Sequence, residues 1–173
     1  MKRMWMTWLM LVPGFLLLSA CGFHLRGMAA GSLALPPVLL AGEDSQLNSD
    51  VASALKRSRV EVVQDKTMAG LVIWLGPVTQ ERRVLSVSSA GKVQEYELHY
   101  ALTFSVVDTQ GREQMPSQVI NVRRDYLFSE TEVLAKAEQE QSLYTDMYRE
   151  ALSELIVRLR TWSAQQRGAG GRP

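Results

Sequence analysis

From Tyr96 to Val106 the chain alternates: Tyr96, Leu98, Tyr100, Leu102, Phe104 and Val106 fall on one parity, and Glu97, His99, Thr103 and Ser105 on the other. Only a strand puts two such sets on opposite faces. Val84 to Ser88 is a second β-branched segment, and Ser89-Ala90-Gly91-Lys92 between them has the small residues of a tight reversal. The pattern predicts a long β-hairpin. At roughly 3.3 Å per residue, its second strand would span about 40 Å over some 12 residues, against the usual 5 to 6. Such a hairpin should reach beyond the body that supports it.

The start of the chain must be set apart before any fold is assigned. Lys2 and Arg3 precede an apolar run from Trp8 to Leu18, interrupted by Pro13-Gly14 and followed by Ser19-Ala20. Residues 1–20 therefore read as a secretory signal peptide, too short and wrongly flanked for a spanning helix. Leu18-Ser19-Ala20-Cys21 is similar to the bacterial lipobox, in which cleavage precedes a cysteine that becomes lipidated, and Cys21 is the single cysteine of the chain. An unpaired thiol in an oxidising compartment is otherwise a liability. The lipobox implies three acyl chains, more than the two signals that stable anchoring needs. Gly22, where retention at the inner membrane is associated with Asp, favours the outer membrane. With Lys2 and Arg3 removed from 19 basic residues, 17 face 18 acidic ones, which leaves no bias toward nucleic acid.

Residues 21–35 are expected to be an acylated N-terminus and tether, in which His24 is a solvated linker residue. Pro36-Pro37 precede a short strand, Val38 to Ala41. Asp44 or Ser45 can cap a helix carrying Leu47, Val51, Ala54 and Leu55 on one side, ending near Ser58. Val60, Val62 and Val63 form a second short strand, parallel to the first across that helix. Leu71 to Leu75 is continuously apolar, as in a strand covered on both faces, and resumes beyond Gly76-Pro77 into the hairpin. After the Asp108–Arg112 turn, a last strand is expected over Val119–Phe128, with Arg124 on its apolar parity.

The final element is a helix. Ser129 and Glu132 have capping-box spacing, and Tyr144, Met147, Tyr148, Ala151, Leu152, Leu155, Leu159 and Trp162 recur at helical intervals. Gly168 should break it, leaving 166–173 as a disordered tail. The expected architecture is one α+β domain over residues 36–165: a mixed β-sheet of four to five strands with two α-helices packed on one face. Two histidines without nearby partner ligands make no metal site, no nucleophile elbow or phosphate-cradling glycine loop is present, and no cofactor or enzymatic activity is expected.

Several fragments then occur in one order. They are Cys21-Gly22-Phe23-His24-Leu25-Arg26-Gly27, Gln94-Glu95-Tyr96, Val122-Arg123-Arg124-Asp125-Tyr126 with Phe128, and Leu134-Ala135-Lys136 with Met147-Tyr148. Together they resemble the LptE family, the lipopolysaccharide-assembly lipoproteins of Gram-negative outer membranes, over nearly all of residues 21–160. The resemblance implies a plug inside the LptD β-barrel that assists barrel assembly and binds lipopolysaccharide in transit to the outer leaflet. It places a lipopolysaccharide-contacting lysine at Lys136. The family's hairpin arginine falls at Ser89, and Lys92 is the nearest base. Arg82, Arg83, Arg123 and Arg124 complete the candidate contacts, since phosphates and carboxylates of a lipopolysaccharide head group call for Arg and Lys. A solvated charged surface would use the same residues: Glu132 and Glu140 flank Lys136 at helical ion-pair spacing. A stand-alone periplasmic lipid-binding or structural lipoprotein, and a lipoprotein enzyme, stay open beside this reading.

Overall fold

The computed structural model describes residues 33–170, which belong to one compact unit, Ser32–Pro173. Cys21, the signal segment, His24 and residues 171–173 lie outside the described residues. In chain order the elements are β1 (Val38–Gly42), α1 (Ser45–Arg57), β2 (Val62–Val63), β3 (Leu71–Val87), β4 (Val93–Asp108), β5 (Glu113–Leu127) and α2 (Val133–Gly170). They build an α+β fold whose single sheet has the order β2-β1-β3-β4-β5.

The sheet is mixed for a reason visible in its connections. β1 to β2 and β1 to β3 are parallel and need crossovers, whereas the short turns after β3 and β4 produce antiparallel neighbours. Asp44 caps α1, its carboxylate accepting the Leu47 amide at 2.9 Å. At the hairpin turn Gly91 adopts φ +75°, and Ser88 accepts the Gly91 amide at 2.9 Å. Glycine takes this left-handed conformation without steric penalty.

β1 pairs with β3 only from Leu71 to Leu75, after which a bulge at Gly76-Pro77 shifts the register against β4. From there β3 is an edge strand, so the hairpin does extend past the β2–β1 part of the sheet. β5 escorts it, pairing as far as Leu127 with Glu95, and only the last few residues around the turn go beyond.

Both helices pack on one face. Met147, Ala151, Leu155 and Leu159 of α2 and Val51 and Leu55 of α1 are fully buried against Ile73, Leu98, Leu102 and Val106 of the sheet. Each of these side chains other than Ala151 contributes about 1.5–3 kcal/mol on leaving water. The 38 residues of α2 span about 57 Å at 1.5 Å per residue, close to the roughly 54 Å of the 16-residue β4. The helix therefore covers the long axis of the sheet.

Four boundaries differ from the sequence-based expectation. β5 begins at Glu113 rather than Val119 and contains Pro116. Its outer edge has no partner strand, and the register shift between Phe104 and Val106 absorbs the proline, which a central strand would not tolerate. The capping box does not form: Ser129 Oγ pairs with the Thr131 hydroxyl at 2.8 Å, Glu132 closes a turn onto the Ser129 carbonyl, and α2 starts at Val133. The helix continues across Gly168 to Gly170. A glycine there costs only about 1 kcal/mol. Leu33, inside the expected tether, is instead 2 % exposed and part of the core.

Candidate functional site

The turn between β3 and β4, the end of β5 and the start of α2 meet at one end of the sheet. Phe128 donates its amide to the Gln94 carbonyl at 2.8 Å, and Lys92 Nζ donates to Glu130 at 2.5 Å across the gap between turn and helix. Lys136 stands in the first turn of α2, its amide bonded to the Glu132 carbonyl and its Nζ donating to Gln139 at 3.1 Å. Lys92 and Lys136 thus belong to the same end, although neighbouring carboxylates engage them unequally. Glu130 partly neutralises Lys92, while Glu140, at ion-pair spacing from Lys136, is committed elsewhere.

Glu140 accepts from Arg82 Nη1 at 2.8 Å and from the Tyr126 hydroxyl at 2.6 Å. Arg82 lies over the Tyr96 ring at 4.6 Å, and Tyr96 stacks on Tyr126 and meets Phe128 edge-on. Burial, then the bond to Glu140, pushes the Tyr126 hydroxyl up to about 12, and the same carboxylate raises Arg82 above its ordinary value. With Tyr144 donating its hydroxyl to the Glu81 carbonyl at 3.0 Å, this cluster fastens the first turns of α2 to all three strands. It is the rigid base on which the two lysines are displayed.

The same end exposes apolar side chains. Val84, Leu85 and Val87 of β3, Leu127 of β5, and Val133 and Leu134 of α2 account for six of the ten large hydrophobic side chains that are exposed among the described residues. Burying greasy residues at internal positions is ordinary, but a concentration of exposed ones beside lysines marks a surface for an amphiphilic ligand or a partner.

The remaining candidate arginines are distributed differently. Arg123 and Arg83 lie on the sheet face that carries no helix, in the cross-strand rows Glu81–His99–Arg123 and Arg83–Glu97–Asp125. Arg83 pairs with Glu81 at 2.6 Å, and His99 contacts Glu97. Arg124 is on the helix face between buried Val122 and Tyr126, where it pairs with Glu150 of α2 rather than approaching Lys136. The candidate bases therefore do not form one cluster. Strand alternation separates Arg123 from Arg124, a consequence that their adjacency in sequence already carried.

Two features of this end were not anticipated from sequence: the Arg82–Tyr96–Tyr126–Glu140 cluster and the apolar rim. A signal for the rim existed in Val133 and Leu134, which fall outside the periodic stripe of α2, and in Leu127, on the parity of β5 opposite to Tyr126. Among the described residues no group of acidic, histidine or cysteine side chains could hold a metal ion, and no helix is long and apolar enough to cross a membrane.

The family model for LptE, described as lipopolysaccharide assembly, matches residues 32–159. The LPS-assembly lipoprotein LptE of Pectobacterium atrosepticum is similar, at 27% identity over 154 residues that cover 87% of this chain and 83% of that relative. Among solved structures, an uncharacterized lipoprotein B from Nitrosomonas europaea superposes with a TM-score of 0.69 at 30% identity, covering 84% of this chain and 93% of its own. The rare lipoprotein B of Shewanella oneidensis gives a TM-score of 0.66 at 27% identity, with 76% and 98% covered.

Proposed function

Because the chain belongs to the LptE family of lipopolysaccharide-assembly lipoproteins, we propose that it is anchored by acylated Cys21 to the periplasmic side of the outer membrane. There it plugs and helps assemble an LptD-type β-barrel and binds lipopolysaccharide at the hairpin tip. The observation that carries the binding reading is the meeting of Lys92 and Lys136 with the exposed rim of Leu127, Val133 and Leu134 on one end of the molecule. Phosphate oxygens answer the lysines, and acyl chains answer the rim. The α2 N-terminus adds unpaired amides that favour an anion. Arg83, Arg123 and Arg124 are secondary candidates, each already engaged or on another face.

The plug reading is supported by the helix-free sheet face. Its rows of Glu81, His99, Arg123, Arg83, Glu97 and Asp125 are polar and mix both signs of charge, with Arg83 directly opposite Glu97, a surface compatible with the polar lumen of a large barrel.

Titration with purified lipopolysaccharide tests the tip. Charge-assisted contacts are worth about 1.5–3 kcal/mol each, so Lys92→Asp/Lys136→Asp should weaken binding by about tenfold or more. Unchanged affinity would remove the site. Extraction of the native membrane in detergent should co-purify a large β-barrel protein; recovery of the lipoprotein alone would favour a stand-alone lipid-binding role.

A further inference from the structure

A second basic feature lies far from the tip. Between the C-terminal end of α1 and the middle of α2 is a groove of about 330 Å³, lined by Arg57, Arg149 and Arg160 together with Ser153 and the apolar Leu152 and Ile156. No carboxylate among the described residues lines it. Arg160 is the informative member: its Nε is buried and has no hydrogen-bond partner among the described residues. Buried donors are almost always paired, so one that is not calls for a species able to satisfy it. Neither Arg57 nor Arg160 forms an ion pair among the described residues, and Arg149 reaches only Asp146, at 3.1 Å, with its side chain 71% exposed. Three guanidinium groups with that much unused donor capacity suit phosphate oxygens, which their planar forks bind in bidentate fashion.

The position of the groove selects among phosphates. After α1 the chain turns, with the Val60 amide donating to Leu55, and β2 returns beside the first residues of β1, where Val38 donates to the Glu61 carbonyl. The C-terminal end of α1 therefore stands at the end of the sheet through which the chain enters at Leu33. The Lys92 turn is at the other end, since β4 runs from Val93 beside that turn to Asp108 opposite Leu71.

We propose that this groove binds the headgroup phosphate of an anionic phospholipid in the membrane that holds the tether. The inference rests on the reading of Cys21 as the acylated residue. Cys21 precedes Leu33 by twelve residues, at most about 40 Å of extended chain, so the bilayer surface is within reach of this end. A free phosphate has the same oxygens but leaves Leu152 and Ile156 uncovered, whereas a phospholipid places glycerol and proximal acyl carbons beside its phosphate. Such an engagement would hold the entry end of the domain against the membrane while the tip is left for its own ligand.

The test uses the full-length protein extracted in nonionic detergent and titrated calorimetrically with short-chain phosphatidylglycerol, short-chain phosphatidylcholine and inorganic phosphate. Saturable binding of phosphatidylglycerol is expected, at least tenfold tighter than either of the others. Arg57→Gln/Arg160→Gln should lose at least tenfold, and Arg160→Lys, which keeps the charge but not the fork, should lose part of it. Arg149→Gln, at an exposed position that folding does not need, should weaken binding without lowering the melting temperature. Lys92→Asp/Lys136→Asp should bind phosphatidylglycerol like the wild type. Equal affinity for the two lipids, or wild-type affinity in all the arginine variants, would overturn the proposal, and phosphate binding as tightly as the lipid would reduce the groove to a free-anion site and overturn it too. Fatty-acid labelling examines the anchor separately, so a negative titration with labelled protein removes the groove and leaves the anchor standing.

Discussion

Tyr148 ties both helices to the sheet through one side chain: its hydroxyl donates to Asp50 of α1, and its ring meets Tyr100 of β4 edge-on at 6.3 Å. That bond, with a smaller share from Gln46, holds the Asp50 carboxyl below its ordinary value, while burial followed by the same bond to Asp50 raises the tyrosine. A depressed folded-state carboxylate contributes stability that is fully present above the unfolded value, near 3.9, and is lost as pH falls through the folded one. Tyr148→Phe should therefore lower stability at pH 7 by about 0.5–1.5 kcal/mol, and denaturant midpoints measured down the acid range should converge with those of the wild type. Gly91 poses a purely backbone question. Nothing lies within 4 Å of where its Cβ would be, yet its φ is +75°, so Gly91→Ala should cost about 1 kcal/mol through conformation alone, and Gly91→Asn less. Equal midpoints for all three proteins would show that the turn relaxes.

Among the elements, α2 separates into a packed part and an end that packs on nothing described. Leu155, fully buried in the middle of the helix, should lose about 2–5 kcal/mol on replacement by alanine. Deleting residues 168–173 should change stability by less than about 0.5 kcal/mol, because Gly168 is exposed and a Cβ placed on it would meet nothing within 4 Å. Chemical denaturation of the two variants measures both. The start of the helix is held differently, by polar bonds rather than apolar burial. Glu140→Gln keeps the shape but weakens the acceptor shared by Arg82 and Tyr126, and should lower the hydroxyl pKa of Tyr126 from its raised value near 12, read from its tyrosinate absorbance. An unmoved titration would mean that burial alone sets it.

For the whole molecule, the decisive property is polarity along the long axis. The entry end at Leu33 and the display end at Lys92 are separated by nearly the full length of β4, about 50 Å. The proposed anchor at one end and the proposed binding tip at the other are kept apart by this length, and α2 lying along the sheet stiffens it. Cys21→Ala should abolish incorporation of labelled fatty acid and release the protein from the membrane fraction, while the melting temperature stays within about 1 °C, since the core of the described residues is built from Leu33 onward. Loss of folding in that variant would show that residue 21 belongs to the core.

Period and punctuation carried much of this architecture. The alternation from Tyr96 to Val106, the stripe from Met147 to Leu159, the Asp44 cap and the Gly91 turn are each local, and local physics decides them: side-chain direction repeats every two or 3.6 residues, and φ is set by a single residue. The family was likewise written in the chain, in fragments that keep their order. Tertiary structure alone decided that β5 takes in Pro116, because only an edge strand spares it a lost ladder bond. It also decided that Arg82 and Glu140, 58 residues apart, share a site, that Arg123 and Arg124 part company across the sheet, and that Arg57 meets Arg160 in one groove. Those outcomes depend on which elements become neighbours, and that is settled by the burial of the whole apolar face, to which no single segment holds the answer.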